Sequence, residues 1–251
     1  MNKIDRVKEV SGELCEYLNG DLLQRFGDVH NIKPKYNKFY LKQEVVADKA
    51  LFMEVKKKYV LHIVDNEGKS VDEYDYKGMV MRRSEYPQHT KKCVSELIGM
   101  IFENDSIDFG KLYKYIEEKN KEFMDLVLAN DKDIAKHVTY SKKKEDYKNG
   151  RIPYQIMAME LWNTLEYECF LKGTKGYLYN IIGVDRSLAP PHVLDSINKI
   201  TSKNTAIVLP FEEDVLPDYY IVNHEKMFSY CWGDRVNECL SPLISDDVTT
   251  F

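Results

Sequence analysis

No run of roughly 18 consecutive apolar residues, the length a membrane-spanning helix requires, occurs in the 251-residue sequence. The opening "MNKIDRVKEV" also lacks the apolar centre of a secretion signal. Paired cysteines are missing too. Cys15, Cys93, Cys169, Cys231 and Cys239 are odd in number and widely spaced, and none forms a C-x-x-C pair, so free thiols in a reducing compartment are expected. These absences predict a soluble, cytoplasmic protein with no membrane partner.

Recognisable catalytic motifs are absent as well. There is no G-x-S-x-G, no glycine-rich phosphate loop, no H-E-x-x-H and no cysteine–histidine spacing suited to zinc. Positive charge is not in excess: the net charge of -5 excludes a surface evenly coated in positive potential, so any polyanion must meet a local patch. No internal repeat, low-complexity tract or long linker interrupts the chain.

The length is enough for one large domain or two smaller ones, and two lobes are expected. "IDRVKEVSGELCEYLN" places Ile4, Val7, Val10, Leu14, Tyr17 and Leu18 near one helical face, with Asn19-Gly20 as a stop. "KFYLKQEVVADKALFMEV" and "YVLHIVDNEGKSVDEYDYKGMVMRR" are rich in β-branched and aromatic residues and turn at Asn66-Glu67-Gly68, which reads as a small antiparallel sheet. Beyond Pro87, "HTKKCVSELIGMIFEN", "DFGKLYKYIEEKNKEFMDLVLAN" and "YQIMAMELWNTLEYECFL" carry helical spacing. "NTAIVLPFEEDVLPDYYIV" reads as a strand and a proline-broken loop, and "NHEKMFSYCWGDRVNECLSPL" as two short helices. The fold class expected is α+β, a small antiparallel sheet with a flanking helix in residues 1–88 followed by a mostly helical lobe in residues 89–251.

Charge is distributed unevenly. Lysine and arginine crowd residues 49–92 and 141–151, while the chain from Phe211 onward is acidic. Lys56, Lys57, Lys58 and Tyr59 enter a strand, where alternation would project Lys57 and Tyr59 on one side. An ammonium there can reach phosphate or the minor groove, and a tyrosine can pack on sugar. The alternative is a solvated basic edge that blocks aggregation. A second basic set, Lys77, Arg82 and Arg83, follows in "YKGMVMRRSEYP" and favours a phosphate-binding groove. Lys142, Lys143 and Lys144, in the loop from Tyr140 to Ile152, are either a further phosphate contact or solvated charge. Asp131 and Asp133, and Asp72 and Asp75, suit magnesium by ligand type, but capping or solvated loop charge is the better reading. His62 and His137 read as structural.

These stretches carry a resemblance. "LKQEVVADKALFMEVKKKYVLHIVDNEG" followed by "YKGMVMRRSEYP" resembles family B DNA polymerases, in which a K-K-x-Y element ends the palm and a K-G-x-x-x-x-R-x element opens the thumb. "RIPYQIMAMELWNTL" and "GTKGYLYNI" are similar to thumb segments, and "LPDYYIVNHEKMFSYCWGDRVNECLSPL" to the closing segment, with Asn223-His224 where the family usually has Asp-Tyr. The likeness runs from Ile4 to about Leu243, in order, and is nearest the bacteriophage replicative branch.

By this resemblance residues 1–88 are the end of the palm and 89–251 the thumb. Lys56, Lys57, Lys58, Tyr59, Lys77, Gly78, Arg82, Arg83, Lys142, Lys143 and Lys144 are implied DNA contacts. Phe251, ending "ISDDVTTF", is either a sliding-clamp peptide or a frayed tail. The family's two metal-binding aspartates, its exonuclease carboxylates and its fingers helix have no counterpart, and Met1 falls just after the place of the Asp-Thr-Asp motif. The chain is therefore expected to bind no cofactor itself and not to polymerise alone. Mg2+ would sit in an active site completed by an N-terminal partner carrying exonuclease, fingers and the rest of the palm. The compartment would then be the host cytoplasm. The alternatives are a stand-alone DNA-binding thumb and a fragment of a longer polymerase. The first helix and "FYLKQEVVAD" would present an unfilled apolar face that calls for a partner.

Overall fold

The computed structural model describes residues 2–147, 152–166, 170–196 and 206–244. Its internal contacts divide the chain into two units, Met1–Met79 and Val80–Phe251. The fold is α+β, with helices and antiparallel sheets in both units.

The first unit opens with α1, Lys3–Tyr17, capped by the Asn2 side chain, which accepts from the Asp5 amide at 2.8 Å. Asn19-Gly20 does not end the helix, as its sequence suggests. The chain passes through a π turn, Leu18–Leu22, into α2, Leu23–Val29. The Asn19 side chain is engaged elsewhere: it accepts from the Leu41 amide at 2.7 Å and donates to the Leu41 carbonyl at 2.6 Å. The stop falls at Asn31 instead, whose φ of 54° lets the Ile32 amide turn back to the Gly27 carbonyl at 2.8 Å.

A three-stranded antiparallel sheet follows, in the order β1 (Val45–Phe52), β2 (Tyr59–Asn66), β3 (Lys69–Lys77). Residues 39–44, expected to open the first strand, lie outside it. The β2–β3 turn is the one expected. Positive φ at both Glu67 and Gly68 matches the right-handed twist of the flanking strands, and the Asp65 carboxylate accepts from the Gly68 amide at 3.0 Å. The other Asp65 oxygen meets the Lys8 ammonium at 2.5 Å, tying α1 to the hairpin. That ammonium holds the buried Asp65 carboxyl below its usual range, and the Gly68 amide helps, against the opposing effect of burial. Val46, Leu51, Met53, Val60, Ile63 and Met79 are buried in this unit, whereas α1 buries no residue.

The second unit contains α3 (Gln88–Phe102) and α4 (Phe109–Leu128), whose apolar residues at three and four spacing are buried, from Cys93 to Phe102 and from Leu112 to Val127. Asp108 caps α4 by accepting from the Lys111 amide at 3.0 Å. The strand expected in "NTAIVLPFEEDVLPDYYIV" is present, but the expectation of a mostly helical lobe missed the antiparallel sheet to which it belongs. Its strands are β4 (Lys136–Thr139), β5 (Lys175–Val184), β6 (Ala206–Pro210) and β7 (Tyr220–Val222). The order is β4-β5-β6, with β7 pairing the later part of β5. The glycine at 176 is required here, since a Cβ would lie 2.4 Å from Val208 and 2.6 Å from the Leu209 carbonyl. Helix α5 (Tyr154–Leu165) covers β6, and α6 (Pro191–Ser196) is a short turn of helix.

The closing segment is likewise more continuous than expected. Helix α7 (His224–Phe228) runs through a π turn, Ser229–Gly233, into α8 (Asp234–Ile244). The turn delivers Trp232 into the core. Its ring stacks on Phe123 at 4.8 Å and 7°, and its indole N–H donates to Asn120 at 2.8 Å. Cys15, Cys93, Cys231 and Cys239 are in no disulfide among the described residues, and burial pushes Cys231 up to about 12. No described helix is long and apolar enough to cross a membrane. Trp232→Ala should cost about 3–5 kcal/mol, because it opens a cavity against Phe123 and leaves Asn120 unpaired. Chemical denaturation followed by circular dichroism would measure the loss.

Candidate nucleic-acid interface

Lys56, Lys57 and Lys58 do not lie in a strand. They form the turn between β1 and β2, and strand alternation begins only at Tyr59. Lys57 has a φ of 64°, a conformation its side chain makes uncommon, so the turn is shaped by what surrounds it. The Lys58 carbonyl accepts from the Met53 amide at 3.0 Å and closes the turn. Lys56 and Lys57 are exposed and Lys58 half-buried. Tyr59 is half-buried, its ring 6.0 Å from that of Phe52.

The second basic element arrives at the same place. Tyr59 pairs with Lys77 in the β2–β3 register. The next residue, Gly78, has a φ of 67° and passes so close to the turn that a Cβ would lie 2.9 Å from the Lys57 carbonyl. The lysine turn, Tyr59, Lys77 and Gly78, two segments apart in sequence, are thus one local structure with three exposed ammonium groups, those of Lys56, Lys57 and Lys77. Concentrated charge of this kind on an acidic chain can hold phosphate oxygens without reading bases.

The remaining predicted residues belong to the second unit. Arg82 and Arg83 are exposed at the 3-10 turn Val80–Arg82, with the Arg83 guanidinium 3.8 Å from Glu85. Lys142 and Lys143 are exposed and line a 460 Å³ cleft with Lys172, the carboxylates of Glu145, Asp146 and Glu160, and the rings of Tyr140 and Phe170, so its charges balance. The Lys142 ammonium lies 4.2 Å over the Tyr147 ring. Lys144 begins a 3-10 turn, Lys144–Asp146; its side chain, residues 148–151 of the loop and Phe251 lie outside the described residues.

A second cleft, which pairs lysines with aromatic rings beside Asp234, carries no motif in the sequence. In a 380 Å³ cavity floored by Leu178 and Met227, Lys136 lies 5.7 Å over Tyr230 and Lys226 5.7 Å over Tyr154. Each pair joins residues distant in the chain, so no local spacing reveals it.

The carboxylate pairs have structural partners. Asp131 caps a 3-10 turn by accepting from the Asp133 amide at 2.8 Å. Asp72 and Asp48 each lie 2.6 Å from a ring nitrogen of His62, which links β1, β2 and β3. Among the described residues no cluster of three or more His, Cys, Asp or Glu side chains suits a metal ion. Burial and nearby lysines lower His137, whose ring packs against Tyr177 and Phe211.

No family model and no curated relative matches the chain. Among solved structures, it is similar to the family B DNA polymerase from the hyperthermophilic archaeon Pyrobaculum calidifontis, at 15% identity and a TM-score of 0.47. The match covers 93% of this chain and 24% of the polymerase, so the chain spans about a quarter of that enzyme's length. The structural similarity is distant.

Gly78→Ala should destabilise the first unit by about 1–3 kcal/mol, because it strains a left-handed backbone and drives a methyl into the Lys57 carbonyl. Denaturant titration measures this. The hydrogen bond to Asp72, joined by that to Asp48, raises His62 above its ordinary value of 6.5 against the effect of burial. A raised folded value means that the His62 contribution is fully present below pH 6.5 and is lost as pH climbs through the folded value. Melting temperatures should therefore fall across that interval in the parent protein, and His62→Gln should remove this component.

Proposed function

We propose that this chain is the C-terminal part of a split family B DNA polymerase, binding primer–template duplex and completing an active site whose carboxylates lie on a partner chain. The observation that carries the reading is the junction at Gly78. The K-K-x-Y and K-G elements of the sequence resemblance, separate in sequence, pack against each other at one end of the sheet. Three exposed lysines and a half-buried tyrosine give that turn the chemistry to hold a duplex backbone.

The role is positional. Lys57 and Tyr59 hold the primer terminus from the minor-groove side, and Lys77 holds a phosphate of the new duplex. Arg82, Arg83, Lys142 and Lys143 supply further phosphate contacts from the second unit. Binding is sequence-independent and weakens with salt. Mg2+ chemistry is assigned to the partner because the aspartate motifs of the family resemblance have no counterpart in this sequence.

Fluorescence anisotropy with a labelled primer–template duplex, over a salt series, tests the binding. Lys57→Ala should weaken binding equally on unrelated sequences and reduce the slope of log affinity against log salt by about 1. Unchanged affinity would remove Lys57 from the interface. Primer extension by the purified chain with Mg2+ should be undetectable; extension by the chain alone would sink the split reading.

A further inference from the structure

The cleft that sets lysines over tyrosine rings is assembled within the second unit from segments far apart in the chain. Lys136 opens β4 and pairs in register with Leu178 on β5. Asn180, two residues further along β5, falls on the same face of the strand as Leu178. Tyr154 comes from the first turn of α5, and Lys226 and Met227 from α7. The volume of 380 Å³ lies at the lower end of the roughly 300–1,000 Å³ of small-molecule sites.

Two ammonium groups stand against one carboxylate in the lining. Lys136 lies 5.7 Å over Tyr230, itself stacked on Tyr86 at 4.8 Å and 9°, and Lys226 lies 5.7 Å over Tyr154. A ring face attracts an ammonium without neutralising it. Glu85 stands 3.8 Å from Lys136 and equally far from Arg83, while Lys226 forms no ion pair among the described residues. The carboxylate, Asp234, already accepts from the Ser229 hydroxyl at 2.6 Å and lies 3.5 Å from the Arg235 guanidinium.

Asn180 is the polar group of the lining that the fold satisfies least. It is 8% exposed, and its Oδ1 accepts from the Tyr154 hydroxyl at 2.9 Å. For the two donors of its amide nitrogen, the described residues offer only the Met227 sulfur at 3.7 Å, a weak acceptor. A buried donor so poorly matched is available to an acceptor on a ligand. An inorganic anion would answer the lysines and leave the floor of Leu178 and Met227 uncovered. An apolar molecule would cover the floor and leave Asn180 and the ammonium groups unanswered. A flat body with ring acceptors and an anionic group meets all three demands, and a nucleotide has that composition.

We propose that this cleft binds a nucleoside monophosphate, its phosphate paired with Lys136 and Lys226 and its base over Leu178 and Met227 with an acceptor toward Asn180. A sugar hydroxyl supplies the donor that suits Asp234. The site stands apart from the duplex reading, because the residues assigned to duplex contacts do not line this cleft.

Calorimetric titration of the full chain with deoxyadenosine monophosphate, deoxyadenosine and inorganic phosphate tests it. The nucleotide should bind at least about tenfold tighter than either of its parts, since one charge-assisted pairing is worth that much. Lys226→Gln and Lys136→Gln should each weaken the nucleotide by about tenfold and leave deoxyadenosine unaffected, with circular dichroism showing the fold retained. No heat with the nucleotide, phosphate bound as tightly as the nucleotide, or an affinity unchanged in both variants would each overturn the proposal.

Discussion

The Lys8–Asp65 ion pair decides which way the first helix faces. Asp65 is 1% exposed and would be costly to bury alone. The Gly68 amide donates to one carboxylate oxygen and the Lys8 ammonium neutralises the other, and together they lock α1 and the β2–β3 turn into one arrangement. Once Lys8 is directed at the hairpin, helical periodicity leaves Val7, Val10, Leu14 and Tyr17 on a neighbouring face. Their exposure follows from a specific polar contact and not from loose packing. A helix that spends its inward face on Lys8, Ser11 and Cys15 gains little from apolar burial, and much of its cohesion with the sheet is polar.

At the opposite end of the same sheet, a glycine replaces charge pairing as the organising element. Gly78 has to be both without a side chain and in a left-handed conformation, since the Lys57 carbonyl occupies the space of a Cβ. That close approach holds the lysine turn in shape although Lys57 itself sits at an uncommon φ. The strain at Lys57 is tolerable because the flanking register, Phe52 to Tyr59 and Tyr59 to Lys77, fixes the chain on both sides. The result is a cluster of like charges on a rigid support, a disposition that water solvates readily and a polyanion binds better.

Much of the first unit was legible because its signals are local. The Asn66-Glu67-Gly68 turn follows from residues tolerant of positive φ, and the β2 and β3 runs from alternation. The failures also have causes. Asn19-Gly20 reads as a helix stop, but the Asn19 side chain finds the Leu41 backbone, a partner no local pattern reveals. Of the second sheet only β6 was legible; its central strand β5 escaped because it is buried along most of its length and shows no apolar–polar alternation. Of the candidate site, the basic residues were visible in sequence, but their assembly was not. Lys57 was placed on a strand when it belongs to a turn. The Lys136–Tyr230 and Lys226–Tyr154 pairs had no signal, since nothing in either segment refers to the other.

Net negative charge and local positive charge are compatible because each is placed where its effect is short-ranged. At physiological salt the Debye length is about 8 Å, so an acidic residue farther than that from Lys56, Lys57 and Lys77 barely lowers the potential there. The acidic excess elsewhere on the chain, from Phe211 onward above all, is therefore compatible with a locally positive turn. The sign of the net charge does not decide the sign of the potential that a ligand meets at the turn that Gly78 packs against.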